Sequence, residues 1–167
     1  MNKKKLIAIR AVLIALTLAV MTVIFLLSAD DADESNKKSD FLADSFVYTF
    51  LMNFDLTDEQ IEDILDKAVM VIRNTAHFAE YGALGFLLSA VGISFYIKPH
   101  INIPVSFCVG ALYAVSDEIH QYFVPGRSFQ LTDILTDSAG ALCGAVLVVV
   151  VVLFYNKIRI RRDSAYQ

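Results

Sequence analysis

Four apolar runs constrain the fold of this chain more than any other feature of its sequence. Residues 11–27, 81–97, 101–116 and 138–155 contain no Asp, Glu, Lys or Arg. A helix that crosses a membrane needs about 20 mostly apolar residues, so each run suffices once its polar ends are counted. We therefore predict an all-α integral membrane four-helix bundle that forms a single domain over residues 1–167. The predicted spans are residues 6–28, 75–97, 101–119 and 133–156.

Basic residues flank these runs at three places and predict the orientation of the spans. All three places belong in the cytoplasm under the positive-inside rule. Four spans satisfy that rule when both termini are cytoplasmic, which predicts a multi-pass membrane protein. A cleaved signal peptide is a less favoured interpretation of the first run, since its uncharged core exceeds the usual length of about 7–15 residues. The basic residues are Lys3, Lys4, Lys5 and Arg10, then Lys98, then Lys157, Arg159, Arg161 and Arg162.

The external segment, residues 29–72, connects the first two spans and is rich in Asp and Glu. Thr57 followed by Gln60 fits a capping box at the start of a helix, and apolar residues recur at helical spacing after it. Ser39 and the residues that follow it predict another helix over residues 40–52. We predict that both are amphipathic helices lying on the outer surface.

A stripe of polar side chains opens the second apolar run. Arg73, His77, Glu80 and Tyr81 fall on one face of a helix, because they are spaced by three and four residues. Ionisable groups at a membrane boundary are costly to bury, which favours a functional role for them. One stripe implies one polar target, either a neighbouring helix or a ligand.

A second polar stripe ends the third span. Asp117, His120 and Gln121 share a face if the helix continues that far, and Glu118 lies at its edge. A Pro-Gly turn follows and places Arg127 in the loop before the fourth span. The predicted topology brings this loop to the same outer level as the first stripe.

The fourth span begins with carboxylates and continues with small residues. Asp133, Asp137, Gly140 and Gly144 fall on one side of the predicted helix. A small-xxx-small pattern such as Gly140 and Gly144 lets membrane helices approach closely. We therefore expect Asp133 and Asp137 to pack against neighbouring helices at the outer level.

These three helix ends predict a polar pocket at the extracytoplasmic face. Arginines can hold an anionic group in bidentate geometry, and nearby carboxylates can orient them. The predicted ligand-binding residues are Arg73, Tyr81, Asp117, Gln121, Arg127 and Asp133. An alternative is an enzyme with acid–base chemistry, whose candidate catalytic residues are His77, Glu80, Glu118 and His120.

Other interpretations of the polar residues are less favoured. Polar side chains can simply hold membrane helices together, or the chain can act as a structural partner of another membrane protein. His77 and Glu80 lie three residues apart, as in helix-bundle metal sites, but there is no His-Glu-x-x-His motif. We predict neither a metal nor a cofactor, and no nucleic-acid partner. Cys108 and Cys143 lie within predicted spans and are expected to be buried thiols.

Three stretches of the chain resemble the VanZ-like family of small bacterial membrane proteins. They are the serines after the first run (Ser28, Ser35 and Ser39), IRNTAHFAEYGALGFLL at 72–88, and DEIHQYFVPGRSFQLTDILTDSAGALCG at 117–144. The resemblance covers most of the chain. It implies a bacterial plasma-membrane protein of the cell envelope, in a family whose named member is associated with low-level resistance to the glycopeptide teicoplanin.

The resemblance and the polar pocket together define the functional expectation. We expect the bilayer as the environment and an amphiphilic, anionic ligand at the pocket. A lipid-linked envelope precursor or a lipophilic glycopeptide has this chemistry. The motifs of the resemblance nominate the same residues as the two polar stripes and the loop.

Overall fold

Four long α-helices form the framework of the protein in a computed structural model. They are α1 (Lys3–Ser28), α2 (Asp58–Ser94), α3 (Pro99–Gln121) and α4 (Leu131–Ser164), with a single helical turn at Thr49–Leu51. Each regular element that the structure describes is helical, which confirms the predicted all-α class. The described residues are 2–30, 37, 41, 45, 47, 49–51, 54 and 56–164.

Local sequence signals explain where the helices begin and turn. The Asn2 side chain accepts a hydrogen bond from the backbone N–H of Lys4 at 3.1 Å and caps α1. The predicted capping box at Thr57 and Gln60 is present at the start of α2. Pro99 occupies the first turn of α3, where its missing N–H costs nothing. Gly126 has φ 76° in the turn before α4, a conformation that favours glycine.

The helix predicted on the outer surface after Thr57 is instead the beginning of α2. This helix is continuous over 37 residues, which corresponds to a length of about 55 Å. Because the hydrocarbon core of a bilayer is only about 30 Å thick, α2 is long enough to cross it and to project well beyond one side. The other predicted surface helix, over 40–52, lies largely outside the described residues.

Three of the described helices, α1, α2 and α4, are long and apolar enough to cross a membrane. Helix α3, predicted as the third span, is not among them. Its buried face explains this, because several of its fully enclosed side chains are polar rather than apolar. They are Asn102, Ser106, Asp117, Glu118 and Gln121. A fourth span therefore stays a prediction that depends on the other helices enclosing this polar face.

Helices α2 and α4 pack with their backbones in direct contact. A Cβ atom added at Gly144 would collide with the carbonyl oxygen of Gly82 and the backbone nitrogen of Phe86. A Cβ atom at Gly140 would collide with the backbone of Phe78, and one at Gly85 with the backbone of Ala141. The close approach predicted for the fourth span is thus confirmed, with α2 as its partner.

Side-chain contacts between distant residues define the two ends of the bundle. At one end, Ser28 contacts Asp117 and Arg73 contacts Asp133. At the other end, Arg10 contacts the carbonyl oxygen of Ser94. Successive helices therefore run in opposite directions. We call the end that contains Ser28, Asp117 and Asp133 the acidic end, and the end that contains Arg10 and Ser94 the basic end.

The apolar core joins all four helices between these ends. It is formed by Ile24, Tyr81, Leu84, Ala114 and Ala141. The expectation that the cysteines are buried is wrong, since Cys108 and Cys143 are both exposed on the outside of the bundle. Many apolar side chains of α1, α3 and α4 are likewise exposed, as expected for a surface that faces lipid.

Candidate functional site

Two polar contacts link α2 to α4 at the acidic end. Arg73 Nη2 donates to Asp133 Oδ2 at 3.1 Å, and His77 Nδ1 lies 3.4 Å from Asp137 Oδ1. Arg73 and His77 are one turn apart on α2, and their partners are one turn apart on α4. The polar side chains of α2 therefore face their partners on α4 in the same order along both helices. The close glycine contacts further along α4 hold the two helices at this distance.

A second set of hydrogen bonds joins α1 to α3 at the same end. Ser28 Oγ donates to Asp117 Oδ2 at 2.8 Å. Gln121 Nε2 lies 3.3 Å from the same oxygen and 3.3 Å from Ser28 Oγ. Ser28 was not predicted as a site residue, although it belongs to the first stretch of the family resemblance. It is buried at the end of α1 and fixes the Asp117 carboxylate.

The loop between α3 and α4 closes over the site. Glu118 Oε2 accepts a hydrogen bond from the backbone N–H of Gln130 at 2.7 Å, which ties the loop to α3. Arg127 Nε donates to the carbonyl oxygen of Asp30 at 3.4 Å. Burial, and then the nearby charge of Arg73, lower the pKa of Arg127 from its ordinary value. A guanidinium nevertheless stays protonated at neutral pH, so Arg127 carries a partly desolvated positive charge.

His120 occupies a different environment from the other candidate histidine. Its ring stacks on Phe25 of α1, with centroids 4.4 Å apart and an interplanar angle of 27°. His77 instead pairs with Asp137 of α4. The structure therefore associates the two histidines with different helices.

The remaining candidates interact electrostatically within one cluster. Glu80 interacts with His77 and with Asp137. Tyr81 is fully buried and interacts with Asp117 and Asp137. Two further candidates, Glu118 and Arg127, both interact with Asp133 and with Asp117. We call this group the polar cluster, and its members are Arg73, His77, Glu80, Tyr81, Asp117, Glu118, Gln121, Arg127, Asp133 and Asp137.

Buried polar atoms without a hydrogen-bond partner are concentrated at the acidic end. Within the described part of the chain, they are His77 Nδ1, Tyr81 Oη, Asp117 Oδ1, Glu118 Oε1, His120 Nε2, Arg127 Nη1 and both carboxylate oxygens of Asp137. Buried polar groups in proteins normally are hydrogen-bonded, and leaving one unpaired costs about 1–3 kcal/mol. All of these residues except His120 belong to the polar cluster, and His120 lies one turn from its members on α3.

A polar groove of about 330 Å³ lies between the N-terminal part of α2 and the start of α4, beside the polar cluster. The ion pair of Arg73 and Asp133 forms part of its wall, and Gln130, which is bonded to Glu118, forms another part. The groove therefore connects the surface with the polar cluster. Its lining residues are Asp66, Val69, Met70, Arg73, Asn74, Gln130, Thr132 and Asp133.

The arrangement of carboxylates and histidines does not resemble a metal centre. Among residues 2–30 and 56–164 and the described positions between them, no group of three or more His, Cys, Asp or Glu side chains could hold a metal ion. The side chains of the polar cluster can form hydrogen bonds and ion pairs and can exchange protons.

Comparison with known proteins identifies the family. The model of the VanZ/LLP1 family matches residues 13–154, which extend from α1 into α4 and include the whole polar cluster. The chain therefore belongs to the VanZ/LLP1 family, and the resemblance of its motifs is confirmed. No curated protein and no solved structure matches the chain. With its three membrane-length apolar helices, it is a membrane protein of this family.

Proposed function

We propose that this protein binds an amphiphilic ligand through an anionic headgroup at the acidic end of the bundle. The observation that carries the proposal is the concentration of unpaired buried polar atoms in the polar cluster. Such atoms destabilise the unliganded protein, and a bound headgroup would supply the missing partners. Polar residues that only hold helices together would be expected to satisfy one another.

Arg127 is the residue best suited to hold the anion. Its Nη1 atom is buried and has no hydrogen-bond partner within the described residues, while its Nε makes only a long bond of 3.4 Å. Arg73, in contrast, is already paired with Asp133 at 3.1 Å. A guanidinium with free donors binds phosphate or carboxylate in bidentate geometry, and partial desolvation strengthens that contact.

The position of the site accounts for the amphiphilic character of the ligand. The polar groove lies along residues 66–74 of α2, before the apolar run that begins at residue 81. A headgroup in the groove could therefore remain attached to an acyl chain in the bilayer. The basic residues at the opposite end favour a cytoplasmic location for that end and both termini, which supports a groove that opens at the outer face of the plasma membrane.

The ligand classes that fit this chemistry are a lipid-linked envelope precursor and a lipophilic glycopeptide. Binding of either at the outer face would link the protein to the cell envelope. Sequestering a glycopeptide, or a lipid that it recognises, would reduce the effect of teicoplanin on the cell. The proposed link to resistance is therefore a consequence of binding.

The test is the lipid that accompanies the protein through purification in mild detergent. Native mass spectrometry of the wild-type protein should detect a bound anionic amphiphile, and Arg127→Gln should lose most of it. Lys67→Gln is the matched control, because Lys67 is exposed on α2 and pairs only locally with Asp63 at 2.7 Å. Equal occupancy in the wild type and Arg127→Gln would refute Arg127 as the anion-binding residue.

A membrane-embedded enzyme is the second candidate, favoured by one contact. His77 Nδ1 lies 3.4 Å from the fully buried Asp137, and Glu80 interacts with both. A carboxylate beside an imidazole orients it for proton transfer, so this group could act on a lipid-linked precursor. Incubation with such a lipid distinguishes the candidates, since turnover that His77→Gln abolishes would favour the enzyme and binding without turnover would favour the first proposal.

A further inference from the structure

Acidic side chains outnumber basic ones in the polar cluster, and this restricts the charge that the headgroup of a ligand can carry. Its carboxylates are Glu80, Asp117, Glu118, Asp133 and Asp137, whereas its bases are Arg73, His77 and Arg127. Arg73 and His77 are each already placed against a carboxylate of α4. A ligand that brought only negative charge would therefore meet repulsion from the carboxylates around Arg127, which include Glu118 and Asp117.

The unpaired atoms point to the same restriction. Asp117 Oδ1, Glu118 Oε1 and Asp137 Oδ2 are buried oxygens without a hydrogen-bond partner in the described part of the chain, whereas Asp137 Oδ1 faces His77 Nδ1 at 3.4 Å. The hydroxyl of Tyr81, on a side chain with no exposed surface, interacts with both Asp117 and Asp137 and can donate its single hydrogen to only one of them. None of the unpaired donors at this end, which are Arg127 Nη1, Tyr81 Oη, His77 Nδ1 and His120 Nε2, is bonded to Glu118 Oε1, and an anion would supply no hydrogen to that oxygen.

We propose that the headgroup is zwitterionic and carries a primary ammonium as well as the anion held by Arg127. This inference rests on the proposed function and adds a second subsite to it. Glu118 is the principal ammonium ligand, because its Oε1 is unpaired while its Oε2 is bonded to Gln130, which lines the groove. Asp117, the next buried carboxylate on α3, supports the same positive charge.

The site holds a positive and a negative side chain close together, as a zwitterionic headgroup requires. The charge of Glu118 acts on Arg127, so the two groups lie close enough for one headgroup to engage both. A primary ammonium provides three hydrogens for the unpaired oxygens. A quaternary ammonium provides none and would leave these acceptors unpaired. The chemistry that fits is therefore a phosphate or carboxylate close to a primary amine, as in an aminophospholipid or in an amino-bearing lipopeptide.

The experiment compares phospholipids that differ only in their headgroup. Purified full-length protein in detergent is titrated with short-chain phosphatidylethanolamine, phosphatidylglycerol, phosphatidylcholine and N-acetylated phosphatidylethanolamine, all with identical acyl chains. We expect phosphatidylethanolamine to bind about tenfold or more tightly than the other three. N-acetylation removes the ammonium without changing the protein, so this comparison does not depend on a variant that folds.

Variants then assign the two subsites. Glu118→Gln should lower phosphatidylethanolamine affinity to the level of phosphatidylglycerol and leave phosphatidylglycerol affinity unchanged or higher. Arg127→Gln should weaken both lipids. Asp63→Asn is the matched control, since it removes a carboxylate that is exposed on α2, away from the site. Asp117→Asn serves in place of Glu118→Gln if the latter fails to fold.

The outcomes separate this inference from the proposed function. Equal binding of phosphatidylethanolamine and its N-acetylated form, with both dependent on Arg127, would overturn the ammonium subsite and leave the anion site intact. Binding that is independent of Arg127 would overturn both. The same titration with teicoplanin and its N-acetylated form tests the lipopeptide source, and amine-dependent binding of teicoplanin alone would assign the ligand to that class. Absence of amine dependence with every probe would overturn the inference.

Discussion

The two ends of the bundle differ in how their buried polar groups are hydrogen-bonded. Toward the basic end, Arg10 donates to the carbonyl oxygen of Ser94 through Nε at 3.1 Å and Nη2 at 2.8 Å. Asn102 Nδ2 donates to Ser89 at 3.0 Å and 2.8 Å, and Ser89 Oγ donates to the carbonyl oxygen of Ala145 at 3.1 Å. These groups hold α1, α2, α3 and α4 together without unpaired atoms among those described.

The acidic end is richer in ionisable side chains, and fewer of its buried polar atoms are hydrogen-bonded. Its buried carboxylates retain oxygens that lack donors, and Arg127 retains a donor that lacks an acceptor. A polar group that serves packing contributes to stability in the unliganded protein, whereas one that serves binding contributes only when the ligand is present. The comparison therefore supports structural roles for the polar residues near the basic end and the binding role proposed for the polar cluster.

Disrupting the close contact between α2 and α4 should cause the largest loss of stability. Gly144→Ala places a Cβ atom against the backbone of Gly82 and Phe86, so we expect the free energy of unfolding to fall by about 2–3 kcal/mol. Gly82→Ala is the matched control, because its Cβ atom would lie 3.7 Å from the carbonyl oxygen of Gly140, an ordinary contact. Unfolding in mixed micelles measures both. Equal losses would mean that glycine itself, rather than the close approach of α2 and α4, determines the result.

Removal of the arginine at the basic end should be the next largest effect. Arg10→Ala deletes two hydrogen bonds to Ser94 and a cation–π contact in which the guanidinium carbon lies 4.2 Å from the Phe95 ring centroid. We expect a loss of about 2 kcal/mol in the free energy of unfolding. Lys5→Ala removes an exposed charge from the same helix and should have little effect. Ligand binding at the acidic end should be unchanged in both variants that remain folded.

A smaller loss of stability is expected when the hydrogen-bonded side-chain amide between α2 and α3, that of Asn102, is removed. Asn102→Leu removes the hydrogen bonds to Ser89, and such bonds between membrane helices contribute about 0.6–2 kcal/mol. We expect a loss of stability in that range, measured by the same unfolding assay. An unchanged or increased stability would contradict the structural role assigned to this network.

Replacing the buried carboxylate of Asp137 in α4 should have the smallest effect on stability and a large effect on ligand binding. Asp137→Asn keeps the shape of the side chain but removes a charge that faces His77 at 3.4 Å without completing a hydrogen bond. Because a neutral amide costs less to bury than a carboxylate, the free energy of unfolding should stay within about 0.5 kcal/mol of wild type or rise. Ligand occupancy should fall in the same preparation. A stability loss as large as that of Asn102→Leu would remove the distinction between the two ends.

Much of this organisation could be predicted from local patterns in the sequence. The apolar runs, the capping box at Thr57 and the spacing of Gly140 and Gly144 are short-range signals. The capping box and the glycine contact are present, and three of the four apolar runs lie in helices long and apolar enough to cross a membrane. The continuity of α2 was missed, because an acidic, amphipathic stretch looks the same on a membrane surface and at the projecting end of a long helix. The partners of Ser28 and His120 were also missed, since both contacts join α1 to α3 across a long separation in the chain.

The sequence by itself determined that this is an all-α membrane protein of the VanZ/LLP1 family, with ionisable residues grouped at the ends of its helices. Periodicity and composition suffice for that, because they act within a single helix. Only the tertiary structure decided which of those residues are paired and which keep an unpaired atom. Pairing depends on distances between helices, and here the close contact of α2 with α4 places Arg73 and His77 against Asp133 and Asp137.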